Sequence, residues 1–107
     1  MIKAIALAFS LFATSAMAAD ITSKVTLSEV HVTSKGLITA VEGVMKNNTG
    51  TTLKNVFVTF KLYNSAGEVV GTALNRGQDI DAGESWRFSA PSTVKFDKAK
   101  LTKVESY

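Results

Sequence analysis

The sequence predicts an all-β protein, an immunoglobulin-like sandwich of six to seven antiparallel strands, and three observations point to it. From Ile21 onward the chain is rich in valine, threonine, isoleucine and aromatic residues, with a single proline at Pro91. Apolar residues recur with a period of two, the spacing of side chains on one face of a strand. Short breaks containing glycine or asparagine separate these runs, and no stretch after Ile21 has a helical period. Strands and turns of this kind also build a small OB-like barrel, which is the alternative architecture.

Ahead of this domain, MIKAIALAFSLFATSAMA reads as a secretory signal peptide over residues 1–18. Lys3 supplies the positive start, Ala4–Ala13 an apolar run, and Ala16-Met17-Ala18 the small-x-small pattern of a cleavage site. The run is shorter than the roughly 20 residues that a membrane-spanning helix requires. The expectation is an exported protein, periplasmic or extracellular and bacterial, cut near Ala18, with one domain over 19–107. No cysteine occurs, so neither a lipidated cysteine nor a disulfide is available, and a single core must hold the domain together. Without Lys3 the chain keeps eleven basic and nine acidic residues, a net +2. The lysines are scattered apart from Lys95, Lys98, Lys100 and Lys103, which argues against the concentrated charge of a nucleic-acid binder.

The elements follow in order. Over Ile21–Thr33, Val25 and Leu27 lie in one phase and Val30 and Val32 in the other, so a bulge near Ser28-Glu29 is expected. Over Leu37–Asn47, Val41, Gly43 and Met45 share a face, with Gly43 leaving room for a bulky neighbour. Asn47-Asn48-Thr49-Gly50-Thr51 has turn chemistry, and a hairpin into the next strand is expected. That strand, Leu53–Tyr63, is the clearest: Val56, Val58, Phe60 and Leu62 face one way, and Phe57, Thr59 and Lys61 the other. Ser65-Ala66-Gly67 turns the chain into Glu68–Leu74. Asp81-Ala82-Gly83-Glu84 leads into Ser85–Ala90, where Trp86 and Phe88 are core anchors and Pro91 ends the strand. In the last strand, Lys98–Ser106, Leu101 and Val104 are out of phase, which implies another bulge, and its lysines suit a protected edge.

Phe60-Lys61-Leu62-Tyr63-Asn64 resembles the motif of the FxLYD domain, a bacterial extracytoplasmic module, with asparagine in place of the final aspartate. Val41–Asn47, Leu53–Val56 and Gly83–Phe88 are similar to the segments flanking that motif, so the likeness covers most of Leu37–Ala90. It implies a β-sandwich without an assigned enzymatic activity. Phe60, Leu62, Tyr63 and Asn64 then have structural roles: the first two in the core, Tyr63 in the opposite phase at the sheet end, and Asn64 bracing the next turn.

Chemistry is sparse. His31 is the one histidine, and no nucleophile motif accompanies it, so a hydrolase built on it is the weakest reading and no catalytic residue is expected. One histidine and no cysteine cannot make an ordinary zinc site. The acidic run Asp79-Ile80-Asp81-Ala82-Gly83-Glu84 offers hard oxygen ligands at Asp79, Asp81 and Glu84, but it is shorter than an EF-hand loop. No glycine pattern suits a phosphate or cofactor, and none is expected. The candidate binding surface is Phe57 with Thr59 and Lys61, an aromatic turned away from the core. The expected function is therefore that of an exported, non-enzymatic module binding another protein or an envelope component, without nucleic acid and without a membrane span in the mature chain. The alternative is a periplasmic small-ligand or calcium-binding protein using the loop 79–84.

Overall fold

A computed structural model describes residues 18–107 of the chain. The signal peptide expected over 1–18 lies, apart from Ala18, outside the described residues. Seven strands follow in order: β1 (Ala19–Asp20), β2 (Val25–Lys35), β3 (Ile38–Asn47), β4 (Leu53–Tyr63), β5 (Val69–Ile80), β6 (Ser85–Ser92) and β7 (Lys98–Ser106). They form a four-stranded sheet in the order β1-β7-β4-β5 and a three-stranded sheet in the order β2-β3-β6, antiparallel throughout. The two ladders stay separate and pack face to face, so the protein is the sandwich and not the barrel.

Alternation places the core. Val56, Val58, Phe60 and Leu62 of β4 are buried and meet Val41 and Met45 of β3, Phe88 and Ala90 of β6, and Val104 of β7. Each large apolar side chain buried here contributes about 1.5–3 kcal/mol relative to exposure. Phe60 and Phe88 stack across the sandwich with ring centroids 5.7 Å apart, and Trp86 lies 5.8 Å from Phe88. Trp86 itself is only half-buried and covers the core margin. Two glycines make room for these rings. A Cβ on Gly43 would sit 2.8 Å from Phe88, and one on Gly77 would sit 2.8 Å from Trp86.

The expected bulges are present. In β2 the register shifts between Ser28 and His31, with Glu29 at φ 56°. The shift sets Leu27 opposite Met45 and Val32 opposite Val41, on the inner face. Because β2 is an edge strand, Val30 and Val32 nonetheless remain 45% and 38% exposed. In β7 the register skips Thr102, so that Leu101 faces inward opposite Phe60 and Val104 opposite Val58.

Three expectations are corrected. β3 and β4 are not a hairpin: β3 pairs with β2 and β6, β4 pairs with β5 and β7, and residues 48–52 cross between the sheets. The crossing is fixed by Asn47, whose side chain is fully buried. Its Nδ2 donates to Thr51 O and Ile80 O at 2.8 and 2.9 Å, while its Oδ1 accepts from Thr49 N and Oγ1. Asn47 N also donates to Glu84 O, and Gly83 N donates to Asn47 O, tying this crossing to the one between β5 and β6. Second, β5 runs on to Ile80 instead of stopping at Leu74: Arg76 and Gln78 face outward on an edge strand, Asn75 Oδ1 accepts from Ser89 N of β6, and Gly77 packs beneath Trp86. Third, β6 continues through Pro91 to Ser92. On an edge strand a proline nitrogen can point away from the only neighbour, here β3, without breaking the ladder.

Candidate functional site

β4 occupies an inner position of its sheet, so its outward residues have neighbours on both sides. Register places Phe57 between Arg76 of β5 and Glu105 of β7, Thr59 between Leu74 and Lys103, and Lys61 between Thr72 and Lys100. The outer face near Phe57 is concave. Phe57, Thr59, Leu74, Arg76 and Tyr107 line a groove of about 440 Å³ with Asn55 and Glu105 at its margin. Leu74 is 53% exposed on its wall. Phe57 is half-buried and meets Tyr107 edge-on, at 5.4 Å between centroids and 82° between planes. Tyr107 is held there by its backbone N, which donates to Asn55 O at 3.0 Å.

The polar margin is ordered from within. Arg76 Nη2 donates to Asn55 Oδ1 at 2.7 Å, and Gln78 Nε2 approaches the same oxygen at 3.4 Å. Glu105 pairs with Lys103 at 3.4 Å. Asp20, beside Glu105 through the β1–β7 pairing, accepts from Thr22 Oγ1 and N at 2.6 and 2.9 Å. Those two hydrogen bonds, with Lys103 nearby, hold its carboxyl below the ordinary range.

The structure brings Phe57 and Thr59 together in this groove. Lys61 lies beyond it, in a smaller depression of about 220 Å³ shared with Tyr63, Lys100, Leu101 and Thr102. Tyr107, Leu74 and Arg76 were not singled out from the sequence. Their link to Phe57 depends on strand register, and only the outward parity of each residue within its own strand hinted at it.

Phe60 and Leu62 are buried, and Tyr63 is half-buried on the outer side at the end of β4. Asn64 Oδ1 accepts from Ala66 N and Glu68 N, and its Nδ2 donates to Glu68 Oε1, so the side chain organises the β4–β5 turn. Asparagine thus supplies both the acceptor that an aspartate would supply and a donor that it would not.

The acidic loop is a turn braced on itself. Glu84 Oε1 accepts from Asp81 N at 2.8 Å, and Asp81 Oδ1 accepts from Thr52 Oγ1 at 3.0 Å. Asp79 ends in the left-handed region at φ 54°. Asp79, Asp81 and Glu84 do not converge, and no group of three metal-ligating side chains occurs among the described residues. His31 lies on the outer face of the three-stranded sheet. Its Nδ1 is 2.7 Å from Glu29 O and its Nε2 is 3.5 Å from Glu42 Oε1. The nearby hydroxyl of Ser89 donates to Glu42 rather than to the imidazole, so the trio lacks the nucleophile-to-base contact of a hydrolase.

Among the described residues no helix is long and apolar enough to cross a membrane. Comparison of the chain with family models, with curated proteins and with solved structures finds no match in any of the three.

Proposed function

We propose that this chain is an exported, non-enzymatic β-sandwich module that binds another protein or an envelope component through the outer face of its four-stranded sheet. The signal-peptide pattern ending at Ala18 and the lack of cysteine support export without a lipid anchor. The resemblance of Phe60–Asn64 to the FxLYD motif supports an extracytoplasmic module, and Asn64 organises the turn after β4. The observation carrying the proposal is the groove at Phe57, Leu74 and Tyr107. Phe57 and Tyr107 form an edge-on aromatic pair on the solvent side of the sheet, beside the exposed Leu74. Aromatic residues in a concave, partly desolvated setting are the usual anchors of a protein contact.

The test is capture from envelope extract by the purified protein and by its Phe57→Ala variant. The proposal expects a partner retained by the first and lost by the second, with the thermal transition nearly unchanged. Equal capture by both proteins would remove the groove from the function.

A further inference from the structure

Resting on the reading that this outer face is the binding surface, we infer that its occupant is an extended acidic segment of a protein partner, with an apolar side chain in the Phe57 groove and carboxylates over Lys61 and Lys100. The first ground is charge. Lys61, Arg76, Lys98, Lys100 and Lys103 project from this face against Asp20 and Glu105. Both acids are already engaged, Asp20 by Thr22 and Glu105 by Lys103. Lys103 is thereby neutralised, and Lys61, Lys98 and Lys100 remain as a cationic cluster at the Tyr63 end of the face.

The second ground is the pairing within that cluster. Lys61 and Lys100 are direct cross-strand partners, and Lys98 is the partner of the next outward residue, Tyr63. Like charges placed directly opposite on a sheet are destabilising. An anion seated between them removes that repulsion, so the free protein holds an arrangement that a bound carboxylate improves.

Spacing gives the third ground. Phe57, Thr59 and Lys61 are alternate residues of one strand, so the groove and the cluster are about 13 Å apart. An extended peptide has the same rise. Side chains two and four residues beyond an apolar anchor would then fall over Thr59 and over Lys61 with Lys100. A groove of about 440 Å³ accommodates such an anchor.

The experiment is fluorescence anisotropy of the purified protein with a labelled synthetic peptide, one phenylalanine followed by glutamates at alternate positions. A glutamine-for-glutamate peptide and the polyanion polygalacturonate serve as competing probes. The glutamate peptide is expected to bind at least about tenfold more tightly than the glutamine peptide, and to weaken as salt rises from about 0.05 to about 0.5 M. The double variant Lys61→Gln, Lys100→Gln should lose about tenfold in affinity while remaining folded, and Arg87→Gln on the opposite sheet should lose nothing. Equal binding of the two peptides, or indifference to Lys61 and Lys100, overturns the acidic-segment inference. Polygalacturonate bound in preference to the peptide, with the same lysine dependence, overturns it in favour of an anionic glycan. If the peptide fails while capture from extract still depends on Phe57, the face stands and the occupant chemistry falls. If capture does not depend on Phe57 either, both readings fall.

Discussion

The outer face of the three-stranded sheet carries Thr26, Ser28, His31 and Thr33 on β2, Ile38, Ala40, Glu42, Val44 and Lys46 on β3, and Ser85, Arg87 and Ser89 on β6, without a Phe, Tyr or Trp. His31 Nε2 and Glu42 Oε1 approach within 3.5 Å there, and Ser89 donates to the other Glu42 oxygen. The outer face of the four-stranded sheet stands on the same alternation and the same kind of core. It carries instead an edge-on aromatic pair, an exposed leucine and two opposed lysines. The inner faces are alike because both must exclude water from one core. The difference between the outer faces lies outside that shared requirement.

Substitutions on the shared inner side set the scale. Phe60→Ala, which removes a buried ring stacked on Phe88, should cost about 3–5 kcal/mol in urea unfolding. Asn47→Ala should cost about 2–4 kcal/mol, since it leaves Ile80 O without its buried donor and removes the side-chain bonds to Thr49 and Thr51 that shape the 48–52 crossing. The outer side should respond differently. Phe57→Ala loses an edge-on contact and half-buried area, so about 1 kcal/mol or less is expected in the same measurement, together with loss of partner capture. If Phe57→Ala unfolded the protein as readily as Phe60→Ala, the distinction between the two sides would fail.

Lys100→Thr should be stabilising by about 0.2–1 kcal/mol, because it relieves the repulsion with Lys61. A loss of stability there would show that the lysine pair is structural. The smallest effect concerns Asp20. Its folded-state pKa is depressed, so its contribution is present above the ordinary carboxylate pKa of about 3.9 and is lost as pH falls through the lower folded value. Amide exchange at Ala19–Lys24 should accelerate in that acid range in the native protein, and the pH dependence should vanish in Asp20→Asn.

Much of the sandwich could be read from residues whose neighbours in sequence determine their environment. The alternation of Val56, Val58, Phe60 and Leu62 placed the inner face of β4, and the broken phases at Ser28-Glu29 and between Leu101 and Val104 located both bulges. What escaped depends on contacts far apart in the chain. Asn47-Asn48-Thr49-Gly50-Thr51 has the same composition whether it turns a hairpin or crosses between sheets. The crossing is decided by Asn47 reaching Ile80 and Glu84. The second half of β5 reads as a loop because Arg76 and Gln78 suit a strand only with solvent outside, and Asn75 and Gly77 only with Ser89 and Trp86 of β6 inside. The candidate site followed the same division. Phe57, Thr59 and Lys61 could be assigned outward from alternation within one strand. Leu74, Arg76 and Tyr107 joined them only once the registers of β5 and β7 were known.

The central claim is that partners meet the outer face of the four-stranded sheet. Two-dimensional amide NMR of the labelled protein, titrated with a partner captured from envelope extract, tests it most directly. The account predicts shifts confined to the outward residues of β4, β5 and β7, strongest at Phe57, Leu74, Arg76 and Tyr107. Shifts centred instead on the exposed tip at Leu37, which is 94% accessible, or around His31 and Glu42 on the other sheet would contradict it.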